Sequence, residues 1–298
     1  MNYGASQVLC EVEDAHLLYI PDCNKFSFIV QYIMENHSTP EGTGYWIGAT
    51  DDAEEGNWVW GNGYPVRMGV PFWGTSGENW DLEPNGGSDE NCAQLSTSDQ
   101  FYFHDEDCLE GFGSPICQKG LLQETNEYSQ SLPELSGSEE EGFKLEVETC
   151  PENFTYIGRS CFFFGIDMTK QTFESASDFC RSINAQLPIL KDCFEFQELV
   201  EQIERNYALG TNESYWIGAS DRGDEGEWLW SDFTEVEMGP PFWGSTNGTA
   251  EPSGDEDQNC AILYKNDRYY FHDGECHMGT KILCQTTPFT NSKTNGYP

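Results

Sequence analysis

Apolar residues recur at helical spacing in two places along this chain. Phe26, Ile29, Val30 and Ile33 follow Pro21-Asp22, and Phe196, Leu199, Val200 and Ile203 repeat them further on. Steps of three and four put each set on one face, so each run predicts an amphipathic helix with its stripe turned to a core. A shorter helix is predicted before Cys10, with a fuller version over residues 171–183. From Tyr45 onward the pattern changes. Aromatic residues alternate at short period between glycines, which predicts brief strands joined by long loops. The expected fold class is α+β, with a loop-rich half that depends on cross-links and ions for order.

The two helical stripes belong to a larger repeat. Cys10, Cys23, Tyr45-Trp46-Ile47-Gly48-Ala49, Trp58 and Trp60 return 170 residues later as Cys180, Cys193, Tyr215-Trp216-Ile217-Gly218-Ala219, Trp228 and Trp230. Pro71-Phe72-Trp73-Gly74 returns as Pro241-Phe242-Trp243-Gly244. The offset then falls to 168 for Asn91-Cys92, Tyr102-Phe103-His104-Asp105 and Cys108, which return as Asn259-Cys260, Tyr270-Phe271-His272-Asp273 and Cys276. The chain holds two copies of one domain.

The second copy carries an extra front end, from Cys150-Pro151 to Cys161-Phe162-Phe163-Phe164. Met1 aligns with Gln171, so the matching front end, opening strand included, is expected to be missing from the first copy. Ser136-Gly137-Ser138 and the acidic run Glu139, Glu140, Glu141 read as a flexible, solvated linker. The expected division is a first domain over 1–118, an acidic linker over 119–149, a second domain over 150–286 and a C-terminal tail over 287–298.

Charge narrows the partners. The formal net charge is −38, and both copies and the linker are acidic. Nucleic acid, heparin-like chains and bare phosphate are therefore poor partners unless bound cations intervene. Most of these carboxylates serve solubility. The 12 cysteines at regular spacing predict disulfides and an oxidising compartment. Glycosylation sequons at Asn36, Asn153, Asn212 and Asn247 agree with a secreted, extracellular glycoprotein. No apolar run approaches the ~20 residues of a membrane span. The chain does not open with a signal peptide, so the true N-terminus, leader or membrane anchor, is expected to be missing.

Oxygen-bearing side chains crowd residues 83–105. Glu83-Pro84-Asn85 is followed by Glu90 ahead of Cys92, and Phe103-His104-Asp105 stands ahead of Cys108. Hard oxygen donors on a stapled, glycine-rich loop suit a calcium ion. An enzyme is not expected: none of the five histidines lies in a nucleophile or zinc-protease motif, and no glycine loop cradles a phosphate. His272-Asp273-Gly274-Glu275-Cys276-His277 suggests zinc only until the repeat commits Cys276 to a disulfide.

Trp-Ile-Gly, the downstream Trp-x-Trp, Glu-Pro-Asn and the closing cysteine pair stand in an order that resembles the C-type lectin-like domain family. Cys150-Pro151 with Phe154, followed by Cys161-Phe162-Phe163, is similar to the opening hairpin of its long form. The tandem arrangement and the phrases Tyr-Trp-Ile-Gly-Ala-Thr-Asp and Pro-Phe-Trp look most like secreted immune lectins of arthropods, crustaceans especially. The resemblance implies disulfides Cys10–Cys117 and Cys92–Cys108 in the first domain, and Cys150–Cys161, Cys180–Cys284 and Cys260–Cys276 in the second. Cys23 and Cys193 are left over at equivalent positions. They pair with each other across the linker, between chains as a disulfide-linked oligomer, or with cysteines of a missing front end, or else they are buried thiols.

The resemblance also implies a site. In the first domain Glu83, Asn85, Glu90 and Asp105 are the expected calcium ligands, and Glu-Pro-Asn implies mannose-type sugars with equatorial 3- and 4-hydroxyls. A cis bond at Pro84 would turn Glu83 and Asn85 the same way. His104 departs from the family's usual Asn. Imidazole offers an N–H to a sugar but no oxygen to calcium, so a weaker ion completed by backbone carbonyls and water is expected; the alternatives are a transition-metal preference or acid sensitivity. The second domain offers Glu251, Ser253, Gln258, His272 and Asp273, with Asp255, Glu256 and Asp257 nearby. Asp51 and Glu55, with Asp221 and Glu225, match an auxiliary calcium position. The expected function is calcium-dependent carbohydrate binding, mannose-type in the first domain and open in the second, for innate immune recognition of microbial surface glycans. The alternative is a calcium-independent protein-binding module of the same fold.

Overall fold

The computed structural model describes residues 1–36, 44–77, 80–120, 146–207, 213–246, 248–254 and 257–292. Each domain contributes two helices: α1 (Tyr3–Val12) and α2 (Cys23–Asn36) in the first, α3 (Phe173–Ser182) and α4 (Cys193–Tyr207) in the second. Asn2 accepts from the Ala5 N–H at 3.0 Å and Thr172 from the Ser175 N–H at 3.3 Å, and these side-chain caps fix where α1 and α3 begin. Asp22 and Asp192 do the same for α2 and α4, accepting from Lys25 and Glu195. The two apolar stripes face inward: Phe26, Val30 and Ile33 are buried on α2, and Phe196, Leu199, Val200 and Ile203 on α4.

The strands are brief. In the first domain the sheet runs Val59–Trp60, Gly44–Thr50, Cys92–Leu95, Phe103–Glu106, all antiparallel, with Gly113–Pro115 parallel to Gly44–Thr50. The second domain repeats it as Leu229–Trp230, Tyr215–Ser220, Cys260–Leu263, Phe271–Gly274. Its front end is a hairpin, Thr155–Ile157 with Ser160–Phe164, extended by Leu283–Thr286 into three strands. In the first domain His16–Leu17 pairs with Cys117–Gln118.

Two expectations about boundaries need correction. Glu146–Thr149 pairs antiparallel with Phe289–Ser292, so the last residues assigned to the linker and the first of the tail form one ribbon. Neither segment carries an apolar pattern; what orders them is mutual backbone pairing, which the chain's return path brings about. The acidic run Glu139–Glu141 lies outside the described residues.

Six disulfides close the structure: Cys10–Cys117, Cys92–Cys108, Cys150–Cys161, Cys180–Cys284, Cys260–Cys276, and Cys23–Cys193. The last joins the N-terminal ends of α2 and α4, so the two leftover cysteines pair with each other, across the domains.

That bond sits on a continuous interface. One hydrophobic cluster runs through both domains. At its centre Tyr102 and Tyr270, both fully buried, lie 4.5 Å apart. Each phenol donates into the other domain, Tyr102 to the Trp243 carbonyl at 2.7 Å and Tyr270 to the Trp73 carbonyl at 2.9 Å. The reciprocity is that of an isologous contact, in which residue and partner exchange roles, here inside one chain. Ser27 to Glu237 at 2.7 Å and Arg67 to Gln197 at 3.2 Å extend it to the helices. The seam also brings Trp80 of the first domain against Tyr264 and His272 of the second.

Candidate functional site

Glu83, Asn85, Glu90, His104 and Asp105 line one cleft of about 620 Å³. The strand Phe103–Glu106 carries His104 and Asp105, and the loop after Asp81–Leu82 carries the rest. The Glu83–Pro84 bond is cis. Asn85 Nδ2 donates to Glu83 Oε1 at 2.8 Å, so these side chains do meet. Both oxygens of Asp105 accept backbone N–H groups, from Asn85 at 2.9 Å and Gly86 at 2.8 Å, which ties the loop to the sheet. Glu90 packs over Gly86, where any Cβ would strike it.

His104 differs from expectation. Its ring is buried and both nitrogens are committed, Nδ1 to Glu83 at 3.2 Å and Nε2 to Asp99 at 3.0 Å. The N–H expected to meet a sugar hydroxyl therefore meets carboxylates. Burial alone would strip the proton from this imidazole, but the hydrogen bonds and charges of Asp99 and Glu83 outweigh it and raise the pKa to about 10. Acid sensitivity through this imidazole is therefore not supported, because the ring holds its proton across neutrality. Burial works against the Glu83 charge too, yet the bonds to His104 and Asp105 bring it down to about 2. Asp105 takes the opposite shift, raised to about 7 by burial and by the neighbouring Glu83. Two carboxylates side by side in a half-dry cleft call for positive charge.

Asp99 was not singled out by sequence, and it is the hub behind the site. It accepts from His104, from the Thr75 N–H at 3.1 Å, and from Ser245 Oγ of the second domain at 2.6 Å. Gly74 is required here, because a Cβ would collide with Asp99 and crowd His104. A signal existed: Asp99 and Asp267 are themselves repeated at the 168 offset.

The second domain reproduces the arrangement. His272 Nε2 meets Asp267 at 2.8 Å and Nδ1 meets Glu251 at 3.5 Å. Ser253 Oγ donates to Glu251 at 3.1 Å, and Asp273 accepts from the Gly254 and Ser253 N–H groups. Despite burial, its partners raise His272 to about 9; Glu251 falls to about 2, and burial with Glu251 raises Asp273 to about 7. Gln258 packs over Gly254 as Glu90 does over Gly86. Asp257 is exposed, while Asp255 and Glu256 lie outside the described residues. Thr75 Oγ1 donates to Asp267 at 2.9 Å, mirroring Ser245 on Asp99.

The remaining candidates are dispersed. Asp51 is buried and accepts the Gly56 N–H at 2.8 Å; Asp221 accepts the Gly226 N–H at 3.0 Å. Each caps its own turn, with the second carboxylate oxygen buried and unpaired. Glu55 and Glu225 are exposed. His277 pairs with Glu275 at 3.0 Å on the surface, with Cys276 in a disulfide. Asn36 is exposed at the end of α2 and Asn153 in a turn; Asn212 and Asn247 lie outside the described residues. Among the described residues, no group of three or more His, Cys, Asp or Glu side chains is arranged to hold a metal ion, and no helix is long and apolar enough to cross a membrane. The donor chemistry of the first cleft nonetheless fits a hard cation, with an adjacent carboxylate pair, an amide and a third carboxylate on one surface. His104 contributes no oxygen to that set.

The architecture is a disulfide-stapled α+β fold present in two copies, each with a polar loop cluster. The chain belongs to the C-type lectin domain family, whose model matches residues 1–119 and 169–286. The human C-type lectin domain family 4 member C is 27% identical over 55% of this chain and 72% of its own length. Perlucin of Haliotis laevigata is 29% identical over 48% of this chain and 88% of its own. Among solved structures, a mouse scavenger receptor C-type lectin carbohydrate-recognition domain covers 46% of this chain and 96% of its own, at 25% identity and TM-score 0.37. A calcium-independent type II antifreeze protein covers 48% and 98%, at 21% identity and TM-score 0.39.

Proposed function

We propose that the chain is a secreted carbohydrate-binding protein whose operative site is the first-domain cleft, with calcium as the expected cofactor. The observation that carries this reading is the convergence of Glu83, Asn85, Glu90 and Asp105 on one cleft, where Glu83 and Asp105 compete for positive charge. These four residues would hold the ion. Calcium, when bound, supplies charge and exchangeable positions that vicinal sugar hydroxyls can take. The chain's own part is orientation: Asp105 anchors the loop through two N–H bonds, and Asn85 lies against Glu83. Mannose-type glycans of microbial surfaces are the proposed partners. The second domain, with Ser253 for the amide and Gln258 for a carboxylate, is proposed as the weaker site. Disulfides and sequons support an extracellular location.

One observation favours a second reading. His104 already presents a cation to Glu83, so recognition without calcium, of a sugar or a protein, is the alternative. Binding to immobilised mannan separates the two. The expected result is retention that calcium restores, EDTA abolishes and the Glu83→Ala, Asn85→Ala double variant lacks. Retention indifferent to EDTA would support the alternative, and no retention by folded protein would remove the mannose reading.

A further inference from the structure

The two site clusters are built alike, yet their surroundings differ. Beside His104 stand Ser96 and Ser98, and across from them Gly248 of the second domain. Beside His272 stands Tyr264, the counterpart of Ser96 at the 168 offset, with its ring 4.7 Å away. Trp80 of the first domain closes in on the same ring at 5.6 Å and meets Tyr264 edge-on, also at 5.6 Å. Two aromatic rings thus fill in the second domain what small residues leave open in the first.

The open volume is larger than the polar cluster needs. At about 620 Å³ the cleft lies within the ~300–1,000 Å³ range of ligand pockets. Away from Glu83 its lining includes the hydroxyls of Ser96 and Ser98, which hydrogen-bond each other at 2.8 Å, and the Trp80 indole, beside Thr75, Ser76, Asp99, Glu106 and Ser245, whose own hydroxyl is given to Asp99. Serine hydroxyls donate and accept at once, matching a ring of sugar hydroxyls, and an indole presents an apolar surface to the C–H side of a pyranose. Trp80 is held by Tyr264 and His272, so its position is set before any ligand arrives.

We propose that the first domain carries an extended saccharide subsite roofed by the second domain, which takes the residue next to the sugar held at Glu83 and Asn85. Trp80 supplies its stacking surface and Ser96 and Ser98 its hydroxyls; among the described residues of the second domain, Tyr264 takes the place of Ser96 and packs on His272. The proposal rests on the carbohydrate reading above and adds to it a preference for chains over single sugars.

Competition against immobilised mannan by methyl α-mannoside, mannobiose and mannotriose tests it on the full chain. Mannobiose and mannotriose are expected to compete about tenfold more strongly than the monosaccharide. Ser98→Trp, at an exposed position on the cleft rim, should erase that gain and leave the monosaccharide unchanged, and Trp80→Ala should reduce it. Glu83→Ala should abolish all competition. Equal competition by all three sugars, or a gain that survives Ser98→Trp, would overturn the subsite while leaving the mannose reading intact. Failure of every sugar to compete would remove both.

Discussion

His104 and His272 each sit between two carboxylates, so their charge is structural. Their pKa values, about 10 and about 9, lie above the ordinary 6.5. A group raised on folding stabilises fully below its unfolded value, so this contribution is complete below about pH 6.5 and is lost as pH climbs through 9 to 10. Asp105 and Asp273, raised to about 7 from 3.8, act in the same sense over a lower window, complete below about 3.8 and gone above 7. In EDTA, the urea midpoint is expected to fall steadily from mildly acidic to alkaline pH. His104→Gln leaves Glu83 and Asp99 facing each other without their cation and should cost ~3–5 kcal/mol at neutral pH. Its loss of stability through the upper window should then be smaller, because only His272 still gives up a proton there. A midpoint that rises toward alkaline pH would contradict the assignment of the proton. Residue identity was legible in sequence, since His104 stands out as a departure. Its partners were not, because Asp99 reaches it only once strand and turn are folded.

At the level of elements, α2 and α4 were readable from spacing alone, and the residues the pattern names are buried except Ile29, which is half-buried against the core. Phe26 packs against Phe72 and Phe103, and Phe196 against Phe242 and Phe271. Phe26→Ala and Phe196→Ala should each cost ~3–5 kcal/mol in urea unfolding. Phe28→Ala, two residues away on the exposed face of α2, should stay within ~0.5 kcal/mol. Comparable losses at Phe26 and Phe28 would mean the stripe is turned the other way. The ribbon of Glu146–Thr149 with Phe289–Ser292 shows the opposite case. A two-stranded pairing far apart in sequence leaves no local pattern, so composition assigned both halves to linker and tail.

For the whole molecule, the decisive bond is Cys23–Cys193. It predicts that the oxidised chain runs as a monomer without reductant; a dimer split by reduction would contradict it. Cys23→Ser with Cys193→Ser should lower stability by ~2–4 kcal/mol. The domains should nevertheless stay docked, because Tyr102, Tyr270 and their carbonyl partners remain. Tyr102→Phe with Tyr270→Phe should cost ~1–3 kcal/mol for each buried carbonyl left unpaired. Sedimentation of the disulfide-free variant checks the docking: an expanded particle would show that the seam depends on the cross-link.

The sequence by itself determined the domain, its duplication and the chemistry of the loop, because each is written in local spacing. Helical stripes, a repeated tryptophan pattern and a crowd of carboxylates between two cysteines need no third dimension to be seen. Tertiary structure alone decided which candidate residues share a cleft, which histidine nitrogen meets which acid, and that Cys23 finds Cys193. It also decided that the two clusters differ, one filled by Trp80 and Tyr264 and the other left open over Ser96 and Gly248. The physical reason is the seam. Two half-molecules that each bury a tyrosine in the other set the surroundings of both sites, and contacts across that seam have no signature in either half alone.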